Sequence, residues 1–229
     1  MIDILNNYPQ LTKLTSALTS ILGENLHAVY LHGSAALVSF HPGSSDLDLL
    51  ILTADLLTPT QRRQLGDTAL RLSGNPHPLE FSVLSRADLA APFPRPYQFH
   101  YSEAWRTRLR LALAQPADLP PPAEALPPIS RADLLRSLAP DLRDGLDNLP
   151  VNPAYGILNA CRSLAWLQDG NILSKDEGGE WFLRNHPNRF DALVRAALAR
   201  QSIPPALNGE LADFVAFMRQ ALAPFWSAL

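Results

Sequence analysis

Between Gln115 and Pro128 the chain reads QPADLPPPAEALPP, with six prolines in fourteen residues. Neither a helix nor a central strand survives that density. Each proline lacks a backbone donor and restricts the residue before it. The stretch therefore reads as a semi-rigid connection, residues 115–128, between two folded parts, residues 1–114 and 129–229. An ordinary surface loop is the alternative. A chain of 229 residues is long enough for each part to bury its own core.

The first part alternates helical and strand-like patterns. Pro9 to Leu22 carries its leucines and isoleucine at helical spacing, and Thr58 to Leu72 opens with a cap residue followed by proline. Leu26 to Leu31, Leu47 to Leu52 and Leu79 to Leu84 read as strands, the third expected beside the second. The second part reads helical almost throughout. Helices are expected over Ser130–Leu146, interrupted at Pro140, and over Asn152–Gln168, where Ile157, Leu158, Cys161, Leu164 and Ala165 form an apolar stripe. Ser174-Lys175-Asp176-Glu177 has the capping-box form, which starts a helix near Lys175, and further periodicity runs over Asp191–Leu198 and Gly209–Leu222. The expected class is α+β: a mixed sheet flanked by helices, followed by an all-helical bundle.

The segment Leu31 to Leu50, LHGSAALVSFHPGSSDLDLL, departs from this core-building pattern. Asp46 and Asp48 are two apart on an apolar strand, so they project to one side while Leu47 and Leu49 project to the other. Two carboxylates so placed repel, and desolvating them unpaired costs several kcal/mol apiece. A cation between them turns repulsion into attraction. Oxygen ligands without a cysteine or histidine cluster favour a hard ion, Mg²⁺ or Mn²⁺, and Mg²⁺ commonly completes its shell with phosphate oxygens. Gly33-Ser34 directly follows the first strand. Glycine lets backbone approach a phosphate, serine offers a hydroxyl, and a helix beginning over Ala35–Val38 would present free amides. Neither GxxxxGK[ST] nor GxGxxG occurs. A D-x-D in a solvated turn is the plainer alternative. Glu80 faces the same way as Ser82 and Leu84 on its strand; it either completes the site, as metal ligand or general base, or is an ordinary edge-strand acid.

Bulk properties narrow the function classes. A formal charge of -3 argues against a nucleic-acid partner. A single cysteine, Cys161, leaves no disulfide and no metal-binding cysteine spacing. No apolar run approaches the ~20 residues needed to cross a bilayer, and MIDILNNYPQ lacks the basic and apolar regions of a signal peptide. A cytoplasmic protein without membrane contact, monomeric or weakly dimeric, is expected.

HGSAALVSFHPGSSDLDLLIL resembles the G-S…D-x-D signature of the polymerase-β-type nucleotidyltransferase superfamily. ILNACRSLAWLQDGNILSKDEGGEWFLRNHP, Ile157 to Pro187, is similar to the helical C-terminal domain of the streptomycin/spectinomycin aminoglycoside adenylyltransferases. The resemblance implies Mg²⁺-dependent transfer of AMP from ATP to a hydroxyl of a small, aminoglycoside-like acceptor, with two ions when ATP is bound. By position it makes Asp46, Asp48 and Glu80 the catalytic and metal-binding acids, with Glu80 as base. Gly33, Ser34, Ser45, Arg162 and Lys175 fall on the ATP side, and Glu103, Trp105, Asn152 and Tyr155 on the acceptor side. There the sequence departs from the family: Glu103 is followed by Ala104, with the tryptophan one place later, and Asn152 stands where the family has an acid. Two rival functions share this fold: a protein AMP-transferase of antitoxin type, and a non-catalytic nucleotide-binding regulator.

Overall fold

The computed structural model describes residues 8–91, 97–102, 130–149 and 151–226. The chain divides into two compact units, Met1–Pro128 and Ile129–Leu229.

In the first unit the described elements are α1 (Pro9–Leu22), β1 (Leu26–His32), the single turn α2 (Gly33–Ala36), β2 (Leu47–Thr53), α3 (Pro59–Leu72), β3 (Leu79–Ser85), the short α4 (Arg86–Ala90) and β4 (Phe99–Ser102). The four strands form one sheet in the order β1-β2-β3-β4. β2 runs antiparallel to β1 and parallel to β3, and β3 runs antiparallel to β4. The expectation that the third strand lies beside the second holds. A parallel pair needs a crossover, and α3 supplies it. Its start is fixed by Thr58, whose hydroxyl accepts the Gln61 N–H while the Gln61 side chain accepts the Thr58 N–H.

Alternation assigns the two sheet faces. Leu47, Leu49 and Ile51 of β2 and Leu79, Phe81 and Val83 of β3 join Leu11, Leu14, Leu18 and Leu22 of α1 and Leu65 and Ala69 of α3 in one core. The other face holds a smaller cluster of Ala28, Tyr30, Leu50, Leu52 and Leu84. That cluster stops before the N-terminal ends of β2 and β3, where Asp48 and Glu80 take the positions that leucine holds further along.

The second unit comprises α5 (Arg131–Asp147), α6 (Pro153–Asp169), α7 (Lys175–Asn185), α8 (Asp191–Leu198) and α9 (Asn208–Trp226). α6 is buried on most sides, as the central member of a bundle must be. Ile157, Leu158, Cys161, Leu164 and Ala165 pack with Phe182 of α7, Leu193 and Val194 of α8, and Phe214, Met218 and Leu222 of α9. Burial pushes the Cys161 thiol well above its ordinary pKa, leaving it an inert core group. The capping box at Ser174 forms as expected and α7 starts at Lys175. One expectation fails. α5 runs through Pro140 without interruption, and α9 likewise contains Pro224. A proline ten residues into a long helix removes one ladder bond and crowds one carbonyl, and the apolar face of α5, with Ala139, Leu142 and Leu146 buried, carries the helix across that defect.

Candidate active site

The sheet register builds the site. His32 of β1 lies opposite Asp48 of β2, Asp48 beside Glu80 of β3, and Glu80 opposite Ser102 of β4. Residues directly opposed across a sheet share a face, so one row of polar side chains crosses the end where the apolar cover stops. Asp46 enters from the residue just before β2. Carboxylate oxygens of Asp46, Asp48 and Glu80 all lie within 4.8 Å of one another, each half-buried. At that separation each ionised pair repels by roughly 3 kcal/mol at an effective dielectric near 20. Burial, then the charge of Asp46, raise the Glu80 pKa above the usual carboxylate range, and a hydrogen bond with the Ser102 side chain works the other way. An all-oxygen set of this kind fits a divalent hard cation.

Gly33 is required by this geometry. Its φ is +63°, and a Cβ there would overlap the Asp48 carboxylate. The backbone turn after β1 and the acid on β2 are therefore in direct apposition. The expected helix over Ala35–Val38 is instead the single turn Gly33–Ala36, and Val38, with φ +55°, ends it. Ser34 Oγ is buried with no hydrogen-bond partner. A buried hydroxyl left unmatched costs about 1–3 kcal/mol, which a ligand oxygen would relieve. Ser45 Oγ accepts the His41 N–H and closes the loop leading to Asp46.

Three neighbours of the acids carried no sequence signal strong enough to single them out. His32 has its pKa lowered to about 3 by burial, partly opposed by a bond to the Leu49 backbone, so the ring is neutral. Ser82 and His100 lie one row further into the sheet, in register with each other, with Ser82 Oγ 2.7 Å from His100 Nδ1. His100 Nε2 is 3.8 Å from Glu80 Oε1. Period-two reading of the FHYS strand would have placed His100 and Ser102 on the Glu80 side once the pairing was known.

In the second unit, Tyr155, Asn159 and Arg162 sit on α6 at i, i+4 and i+7, one helical face. Arg162 Nε donates to Asn159 Oδ1 at 2.8 Å. Lys175 Nζ stands 4.3 Å from the centroid of the exposed Tyr155 ring. Gly178 and Gly179 make this possible: a Cβ at 178 would lie 2.5 Å from Arg162 Cβ, and one at 179 would lie 2.8 Å from a Leu158 methyl. Asn152 is the N-cap of α6, its side-chain oxygen accepting the Tyr155 N–H. Glu103 and Trp105 lie outside the described residues.

Residues 124–221 match the family described as "Aminoglycoside adenylyltransferase, C-terminal domain". The spectinomycin 9-adenylyltransferase of Campylobacter jejuni is 23% identical over 223 residues, covering 84% of this chain and 85% of that protein. That of Enterococcus faecalis is 24% identical over 216 residues, covering 80% and 82%. Over these spans the chain is similar to aminoglycoside adenylyltransferases. A crystal structure of the spectinomycin adenyltransferase AAD(9) of Enterococcus, with ATP and spectinomycin, matches with a TM-score of 0.75 at 19% identity, over 94% of this chain and 99% of that one. That likeness establishes the fold: an N-terminal domain with a mixed four-stranded sheet flanked by helices and a C-terminal helical domain. Among the described residues, no helix is long and apolar enough to cross a membrane.

Proposed function

We propose that the protein transfers AMP from ATP to a hydroxyl of a small aminoglycoside-like acceptor. The observation that carries this reading is the convergence of Asp46, Asp48 and Glu80 within 4.8 Å, directly against the Gly33-Ser34 turn. Adenylyltransferase relatives that match over most of the chain support it.

Asp46 and Asp48 would hold Mg²⁺, with Glu80 at its margin. The bound ion would supply charge neutralisation for the polyphosphate and polarise the attacking oxygen. The chain's own residues do the rest. The Gly33 turn brings backbone close to the nucleotide, and Ser34 Oγ gains the partner it lacks. Glu80 takes the proton of the acceptor hydroxyl; its raised pKa brings it nearer the operating pH than an ordinary carboxylate. The hydroxyl oxygen forms a bond to the α-phosphorus, the bond from that phosphorus to the bridging oxygen breaks, and pyrophosphate leaves with the electron pair. Arg162 and Lys175 are proposed, on the family resemblance, as the cations that meet the polyphosphate. On the same ground Glu103, Trp105, Asn152 and Tyr155 are proposed for the acceptor, and Ser45 for the nucleotide.

The test is incubation with Mg²⁺, ATP labelled on the α-phosphate, and a panel including spectinomycin and streptomycin. Label on a small molecule, with one pyrophosphate released per AMP transferred, is the expected result. Label on protein alone, or ATP binding without pyrophosphate release, would overturn it.

A further inference from the structure

Asp48 and Glu80 are held by the ladder between β2 and β3, but Asp46 stands one residue before β2 and outside it. Its place among the acids comes from the loop between α2 and β2. That loop, residues 37–46, is tied back at two points. Ser39 N–H donates to Ser34 O at 2.9 Å, and the Ser44 and Ser45 N–H groups donate to His41 O at 3.1 and 2.9 Å. Between these ties sits Phe40, half-buried and the one large apolar side chain from Ser39 to Ser45. Its ring meets those of His77 and Tyr8 edge-to-face, with centroids 4.8 and 5.1 Å apart.

His77 belongs to the turn that leads into β3, and the residue after it, Pro78, accepts the Leu47 N–H at 2.8 Å. The chain around Asp46 therefore rests on one short turn from both sides, through Phe40 upstream and through Leu47 immediately downstream. That turn is itself fixed from α1. Gln10, 2% exposed, donates to Leu72 O and His77 O at 2.7 Å each, and its Oε1 accepts the His77 N–H at 3.2 Å. A buried amide whose donors and acceptor are all matched holds its surroundings in one arrangement. The same turn opens into Leu79 and Glu80, so it carries the acid of β3 and also the anchor of the loop acid.

We infer that Phe40 is a positioning residue for Asp46, anchoring the loop that carries this acid to the His77–Pro78 turn. This rests on the proposed role of Asp46 in holding a divalent cation. Three acids within 4.8 Å of one another repel, and Asp46, outside the ladder, is the one whose backbone can yield. The aromatic anchor and the closed 41–45 turn oppose that movement. A leucine at 40 would keep apolar area but lose the edge-to-face geometry, which stabilises aromatic pairs beyond their burial. Phe40 acts through the chain, without touching cation or nucleotide.

Two measurements on Phe40→Leu and Phe40→Tyr test this. Without metal, amide hydrogen exchange at Ser39 and Ser45 should quicken about tenfold in Phe40→Leu and stay near wild type in Phe40→Tyr. Exchange at Phe81 and Val83 of β3 should be unchanged in both. Titration calorimetry with Mn²⁺ alone should show binding about tenfold weaker in Phe40→Leu, and within roughly twofold of wild type in Phe40→Tyr. Leu18→Val, a packing loss elsewhere in the same core, should leave both readouts unchanged, which separates positioning from stability. Wild-type exchange at Ser39 and Ser45 in Phe40→Leu, or wild-type Mn²⁺ affinity there, would overturn the inference. So would equal losses in the leucine and tyrosine variants. If Phe40→Leu does not fold, Phe40→Met decides by the same two readouts. A wild-type protein that binds neither Mn²⁺ nor nucleotide would sink the proposed function, and the exchange at Ser39 and Ser45 would still decide whether Phe40 anchors the loop.

Discussion

Gly33→Ala tests the apposition of the β1 turn and the Asp48 carboxylate most severely, because two separable costs meet at one atom. The first is conformational. At φ +63° an L-residue costs about 1–2 kcal/mol relative to glycine. The second is steric and falls on one side chain, since the added methyl overlaps Asp48 and the carboxyl must turn away. Gly170 provides the control. It ends α6 at φ 75°, ψ 6°, with nothing within 4 Å of the position a Cβ would take. Gly170→Ala should therefore show the conformational cost alone, about 1 kcal/mol in urea unfolding, with Mg·ATP affinity unchanged. Gly33→Ala should show at least the same loss of stability. Displacing a group that orients a metal ligand also costs about 10–100-fold in affinity, or roughly 1.4–2.7 kcal/mol. Titration calorimetry of Mg·ATP against both variants reads this difference. Wild-type nucleotide affinity in Gly33→Ala would refute the reasoning, because it would mean that Asp48 can move without consequence.

Further predictions follow from the same geometry. Glu80→Gln should reduce AMP transfer by about 10²–10⁴-fold, measured by product chromatography, with the circular dichroism spectrum unchanged. Without metal, the raised folded pKa of Glu80 means that the native state binds the proton more tightly than the unfolded chain, so stability falls as pH rises through the window between the unfolded and folded values. Glu80→Gln should accordingly be more stable than wild type at neutral pH, the gap closing as pH drops below the ordinary carboxylate range, and added Mg²⁺ should narrow it from the other side; pH-dependent urea melts check both. Ser174→Ala removes the α7 cap and should cost about 1 kcal/mol in the same melts. Phe182→Ala, which empties a fully buried position, should cost about 3–5 kcal/mol.

Much of the fold was legible because its elements are punctuated locally. Pro59 after Thr58, the Ser174–Glu177 box and the turn-free, leucine-rich run of β2 each announce an element from its own residues, and each forms as read. Pro140 misled because proline is a local signal and helix continuity is a tertiary outcome; buried neighbours on α5 outweigh one missing bond. The one-turn α2 was beyond reach, since Ala35 to Val38 has helical propensity and only the strained Val38 backbone ends it.

The site divides in the same manner. Asp46 and Asp48 could be paired from period-two spacing alone, and the fold brings them together. Glu80 needed strand pairing, which is not local, and its in-register place beside Asp48 depends on the parallel crossover through residues 54–78. His100 and Ser102 required knowledge of the edge strand as well. The small cluster of Tyr155, Asn159, Arg162 and Lys175 owes its existence to Gly178 and Gly179, whose role is visible only where two helices meet.

The account stands on three acids gathering a divalent cation for a nucleotide at the turn after β1. Crystals grown with Mn²⁺ and an ATP analogue blocked at the α–β bridge test this by anomalous scattering. The prediction is a manganese peak bonded to Asp46 and Asp48, with the triphosphate lying over Gly33 and Ser34. A nucleotide bound elsewhere, or a site at these carboxylates without manganese while the analogue is present, would contradict it.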